Sequence, residues 1–145
     1  MARFVDTVST SWSQDDAFSY MADARNFAEW DPGTLRVEQV KGDGAGSDAV
    51  FDVTAEVGSR SSVLRYEVTE WDPPRRVVLE ASKSWMHLRD EIVVEAVDAE
   101  TRITYDARIT LRGPLQLFDK LLDKRFQVIG ERAAAGLAER VQKPR

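Results

Sequence analysis

Cysteine is absent from this 145-residue chain, and histidine occurs once. Disulfides, thiolate metal sites and a cysteine nucleophile are thereby excluded, and one imidazole cannot form a zinc or copper cluster. Neither a metal nor a cofactor is expected. No apolar run approaches the roughly 18 residues of a membrane-spanning helix. Asp6 also interrupts the stretch where a signal peptide needs its apolar region. A cytoplasmic setting without a membrane span is expected. Basic side chains number 20 against 25 acidic ones, for a net charge of −5. That balance argues against nucleic-acid binding through bulk electrostatics, which needs concentrated Lys and Arg. Internal repeats, low-complexity tracts and linkers are missing too. The glycine-dense segment Gly42 to Gly46 lacks the Lys-Ser/Thr of a phosphate-binding loop and opens onto no helix.

What is present suffices for one core. The chain is 43% hydrophobic, and a domain of this length buries roughly 68–70% of its unfolded surface, so residues 1–145 are expected to form a single domain. Residues 3–12 alternate and are rich in Val, Thr and Phe, which predicts a strand. Ser13 and Asp16 make a capping-box-like helix start, with Asp15 and Asp16 at the positive end of the helix dipole. A second short helix is expected over 25–31, stopped by Asp31-Pro32-Gly33. The period then changes to two, predicting strands at about 34–41, 48–57, 62–71, 76–84, 87–97 and 102–112. Short connectors with turn residues make neighbouring strands antiparallel. Beyond Gly113-Pro114, the residues Phe118, Leu122, Phe126, Ile129, Ala133, Leu137 and Val141 recur every three or four positions, predicting one long amphipathic helix.

Parity assigns the faces of the strands. Phe51, Val53, Ala55 and Val57 share an inward side, opposite Asp52, Thr54 and Glu56. Leu64, Tyr66 and Val68 face inward against Arg65 and Glu67. Leu79 belongs to the inner set of its strand, as do Leu88, Asp90, Ile92 and Val94 of the next. Tyr105 points inward from the last strand with Ile103, Ala107, Ile109 and Leu111. His87 falls on the opposite, wet side with Arg89 and Glu91. One wet face and one apolar face suit an antiparallel sheet packed on one side only. A single helix cannot cover seven flat strands, so the sheet is expected to curl around it.

This order of elements resembles the START-like, Bet v 1-like superfamily, often grouped with polyketide cyclases and dehydrases. The residues that carry the likeness are Ala17-Phe18-Ser19-Tyr20-Met21-Ala22-Asp23 with Asn26 and Trp30-Asp31-Pro32, the stretch from Tyr66 to Val77 through Trp71-Asp72-Pro73-Pro74, then Thr101 to Tyr105 and Leu111 to Leu115. Ser13-Gln14 departs from the pattern, since many relatives carry prolines there. The resemblance implies an α+β helix-grip fold: a seven-stranded curved antiparallel sheet around a long C-terminal helix, with two short N-terminal helices. It also implies a deep cavity between sheet and helix, holding a hydrophobic or amphipathic small molecule, and a ligand or structural role for Trp30.

The chemistry available to such a cavity is sparse. No G-x-S-x-G elbow accompanies His87, so nucleophilic catalysis lacks its parts. Arg65, Arg89, Arg108 and Arg112 all read as outward. Tyr66, Tyr105 and Asp90 remain as acid-base candidates, and an enclosed, poorly solvated Asp90 carboxyl would have a raised pKa. The apolar lining expected from parity adds Phe51, Val53, Val68, Leu79 and Ile92 from the sheet, with Phe118, Leu122 and Phe126 from the helix. An empty apolar void of roughly 300 Å³ would cost on the order of 7 kcal/mol at ~24 cal/mol per Å³. The pocket should therefore be hydrated, collapsed or filled. Binding of a hydrophobic small molecule such as a lipid or polyketide is the leading expectation. A polyketide cyclase, aromatase or dehydratase using Tyr66, Tyr105 or Asp90 is one alternative, and a ligand-free protein-interaction module is another. The segment 119–145, with 7 basic and 4 acidic residues, suits an acidic partner, a membrane surface or a solvated helix face. Composition leaves the oligomeric state open.

Overall fold

The computed structural model describes residues 1–145 apart from the side chain of Val57, so the inward face expected for Val57 lies outside the described residues. Seven strands form one curved antiparallel sheet: β1 (Ala2–Thr10), β2 (Thr34–Lys41), β3 (Val50–Val57), β4 (Arg60–Asp72), β5 (Arg76–Lys83), β6 (Met86–Val97) and β7 (Glu100–Leu111). Their spatial order is β1-β7-β6-β5-β4-β3-β2, so the only non-consecutive neighbours are β1 and β7. Register shifts in β2 and between Val68 and Glu70 of β4 interrupt the ladder. Such bulges bend and twist a strand. The shift in β4 leaves Trp71 packed against the core, where its ring meets Phe18 edge-on at 5.3 Å.

The helices follow the local signals. In α1 (Gln14–Ala22) the Ser13 hydroxyl accepts a hydrogen bond from the Asp16 amide over 3.1 Å, satisfying one of the free donors of the first turn. The expected single helix over 25–31 is instead a 3-10 turn, Ala24–Asn26, running into the single-turn α2 (Phe27–Trp30). Asp31 ends α2 by accepting from the Gly33 amide and the Thr34 hydroxyl, each at 2.9 Å. These bonds steer the chain directly into β2. The first strand stops at Thr10 rather than 12, because Trp12 folds inward and its indole N–H donates to the Lys143 carbonyl over 2.8 Å.

After a 3-10 turn over Gly113–Phe118, α3 (Asp119–Val141) lies over β1 and against α2. The expected stripe is buried only in part. Ala133, Leu137 and Val141 are enclosed, Leu122 and Phe126 pack against the core, but Phe118 is 56% and Ile129 48% exposed. Side-chain size explains the difference. In the C-terminal half, Gly136 meets the Trp30 carbonyl so closely that a Cβ would lie 1.9 Å from its oxygen, and a Cβ on Gly130 would lie 2.3 Å from the Phe4 ring. In the N-terminal half the bulkier Leu122 and Phe126 pack only partly against the core, while Asp119 pairs with the N-terminal ammonium at 2.9 Å and the Gln127 amide donates to the Arg3 carbonyl over 2.6 Å. The helix is thus enclosed at its end and more solvent-facing at its start.

Candidate functional site

The N-terminal half of α3 borders an open cleft of about 750 Å³. One wall is the helix stripe of Leu121, Val128 and Ile129 with Lys124, Arg125 and Arg132; the other is Asp31-Pro32-Gly33, Ala55, Glu56 and Gly58. Gly58 adopts φ 64° at the β3–β4 turn, a left-handed conformation that glycine takes without a Cβ penalty. Deeper under the helix lies a small space of about 10 Å³, bordered by Phe4, Asp6, Val8, Trp30, Tyr105, Ala134 and Leu137. That is the volume of one probe sphere and marginal even for water. That space admits no guest molecule, whereas the cleft has room for one.

Behind the cleft sits a buried polar cluster. Asp90 is 4% exposed, and the Tyr105 hydroxyl donates to its Oδ2 over 2.9 Å. Burial is the main force on the Asp90 carboxyl and raises its pKa to about 7, assisted by the charges of Asp31 and Asp106 and opposed by bonding from Tyr105 and Tyr66. Burial likewise pushes both phenols well above their ordinary value, with the Asp90 charge adding to it. Asp31 is also raised, chiefly by burial and against the pull of Gly33 and Thr34. Since Asp31 borders the cleft and acts electrostatically on Asp90, Tyr66 and Tyr105, it links the open mouth to the interior cluster. A carboxyl near 7 flanked by phenols can give or take a proton at neutral pH.

Trp30 stands beside this cluster. It is 4% exposed and meets the Tyr105 ring edge-on at 5.6 Å, yet its indole N–H has no hydrogen-bond partner among the described residues. A buried donor left unpaired costs about 1–3 kcal/mol, so an acceptor oxygen arriving there would be favoured.

The residues expected to line a cavity fall into three groups. Phe51, Val53, Tyr66, Leu79, Asp90 and Ile92 are buried in the sheet's inner face, with Val68 and Tyr105 partly so. Leu122 and Phe126 cover them from the helix, while Phe118 projects outward. None of these borders the large cleft. Its lining instead uses the adjacent stripe of α3, Leu121, Lys124, Arg125, Val128 and Arg132. The signal was present as Leu121 and Val128, two apolar residues beside the main stripe at helical spacing. Asp31 stands within Trp30-Asp31-Pro32, where the sequence pointed only to a helix stop.

On the outer face, His87 contacts Ser82 Oγ at 2.7 Å and Glu80 Oε1 at 3.0 Å. The three resemble a Ser-His-Glu relay, but they lie on the paired strands β5 and β6, whereas acyl-transfer chemistry also needs amides left free to donate to an oxyanion. Arg65, Arg89 and Arg108 also lie outward, paired with Asp52, Glu70 and Asp106 respectively. Those cations are unavailable to the interior. Among the described residues, no cluster of His, Asp or Glu suited to a metal ion occurs.

A curved antiparallel sheet gripping a long C-terminal helix over a cleft defines a helix-grip fold. Within that class, the family described as polyketide cyclase / dehydrase and lipid transport matches residues 1–142, and the chain belongs to it. Solved structures agree in fold. A protein from Thermus thermophilus superposes with a TM-score of 0.77 at 18% identity, over 96% of each chain. A START superfamily protein from Mycobacterium smegmatis gives 0.77 at 16% identity, over 97% of each chain. The Zhui aromatase/cyclase from Streptomyces sp. R1128 gives 0.75 at 16% identity, covering 96% of this chain and 90% of that one. No curated protein matches the chain. Among the described residues, no helix is long and apolar enough to cross a membrane.

Proposed function

We propose that this protein binds a hydrophobic or amphipathic small molecule between its sheet and C-terminal helix, entering by the cleft under the N-terminal half of α3. The observation that carries this reading is the open cleft of about 750 Å³ beside the N-terminal half of α3, walled by Leu121, Val128, Ile129 and Ala55 together with charged side chains. Family membership supports it. A ligand that reaches the interior must move Leu122 and Phe126, which now pack against the core from the helix side. The unpartnered Trp30 N–H favours a ligand bearing an acceptor oxygen. Native mass spectrometry with solvent extraction, joined to a thermal-shift screen of hydrophobic metabolites, tests the reading. A bound species or a raised unfolding midpoint is expected, because a ligand of the native state alone stabilises it by mass action. No bound species and no shift across diverse ligands would contradict it.

A second reading has its own observation: Asp90 is buried, bonded to Tyr105 and titrates near 7. On that reading the chain is a cyclase or dehydratase in which Asp90 moves a proton at a carbon next to a ligand carbonyl, while the phenols hold the carbonyl oxygen. Product analysis with a poly-β-keto substrate decides it. Full turnover in Asp90→Asn, Tyr105→Phe and Tyr66→Phe would remove these residues from the chemistry.

A further inference from the structure

The corner joining β7 to α3 exposes an unusual run of apolar side chains. Leu117 is 87% exposed, Phe118 56%, Leu121 55% and Leu115 38%. The β5–β6 hairpin is tied to the same corner, since the Arg112 amide donates to the Trp85 carbonyl over 2.9 Å and Met86 pairs with Leu111. Trp85, 37% exposed, therefore joins the patch. Contiguous exposed apolar groups of this kind mark an interaction surface.

Charge identifies the occupant. Residues 112–125 carry four basic side chains, Arg112, Lys120, Lys124 and Arg125, against Asp119 and Asp123. Asp119 is neutralised by the N-terminal ammonium at 2.9 Å. All four basic side chains are exposed. The corner is thus cationic on a chain whose net charge is −5. Exposed leucines, a phenylalanine and a tryptophan on a segment rich in lysine and arginine fit the boundary of an anionic bilayer, where apolar groups enter and cations meet head groups. A protein partner fits less well, because lysine is depleted at the cores of protein interfaces.

We infer that the β7–α3 corner, with the tip of the β5–β6 hairpin, docks the protein on anionic lipid surfaces. The docked face carries Leu121, which also borders the cleft, so docking presents the mouth to the membrane. Docking needs no ligand in the cleft, and its failure leaves small-molecule binding standing.

Co-sedimentation with vesicles of phosphatidylcholine alone, and of phosphatidylcholine mixed with phosphatidylserine, tests the inference. Binding is expected to the mixed vesicles at low salt and to be lost at high salt, as screening requires. Lys120→Gln is expected to weaken it about fivefold, the worth of one surface cation. The double variant Leu115→Gln/Leu117→Gln is expected to abolish it while keeping the wild-type unfolding midpoint, because both side chains are exposed. Equal binding to both vesicle types, no binding, or binding indifferent to these variants would overturn the inference. So would self-association through the patch, seen as a dimer in light scattering and lost in the double variant.

Discussion

Tyr105 Oη and Asp90 Oδ2 lie 2.9 Å apart on the inner face of neighbouring strands β7 and β6. Their registers place Asp90 opposite Ala107 and Tyr105 opposite Ile92, so the bond is a diagonal one across the sheet. It is the main stabiliser of an anion that burial otherwise disfavours.

The pH dependence of stability follows from that relationship. Asp90 titrates near 7 in the folded protein and near 3.9 in an unfolded chain. Between those values the folded state keeps a proton the unfolded chain has released, so this group's contribution falls as pH rises from about 4 to about 7 and is level above. At about 1.4 kcal/mol per unit, the loss is a few kcal/mol. Asp90→Asn removes it, so the variant should gain on the wild type over that window. Asp52, Glu70, Glu80 and Asp106 are lowered and slope the other way, but both proteins share them. Urea unfolding at a series of pH values measures the difference; parallel curves would contradict the assignment.

Tyr105→Phe removes the donor and leaves the carboxyl buried. The Asp90 pKa should then rise above 7, and stability at neutral pH should drop by roughly 1–3 kcal/mol. Carbon-detected NMR titration of the Asp90 carboxyl reads the shift directly. An unchanged midpoint would show that the bond does not govern the charge.

Gly136→Ala tests the tight end of the helix. Alanine gains about 1 kcal/mol of intrinsic helix propensity, but its methyl would meet the Trp30 carbonyl oxygen. Net destabilisation by roughly 1–3 kcal/mol is expected, read as a lower denaturant midpoint. A stabilised variant would mean that α2 and α3 are not in close contact.

Trp12→Phe tests the clamp on the C-terminus. The Trp12 ring lies 5.2 Å beneath the Arg140 guanidinium, and its N–H holds the Lys143 carbonyl. Thr10 Oγ1 holds the Val141 carbonyl at 2.7 Å beside it. Loss of one hydrogen bond should cost about 1 kcal/mol and speed amide exchange over residues 138–143. Unaltered exchange would assign the clamp to Thr10 alone.

Much of this architecture was legible in the residues. The alternation of Phe51 and Val53, or of Leu88, Asp90 and Ile92, placed the inner face, because a strand buried on one side exposes its parity. Asp90 and Tyr105 could be placed on one face, but their bond depends on the register between strands 15 residues apart in sequence. The uneven burial of α3 was not legible. Periodicity gives a helix its direction of burial, whereas depth is set by partners: Gly136 against Trp30 and Gly130 against Phe4 are contacts between distant segments. The cleft therefore fell on Leu121 and Val128, beside the expected stripe of Phe118, Leu122 and Phe126.

Methyl and amide chemical-shift mapping by NMR, with the amphipathic dye 1-anilinonaphthalene-8-sulfonate as probe, tests ligand binding in this cleft most directly. Saturable one-to-one binding is predicted, with shifts centred on Ala55, Leu121, Val128 and Ile129 and spreading inward toward Trp30 and Tyr105. Absence of saturation, or shifts confined to the outer face of the sheet, would contradict the account.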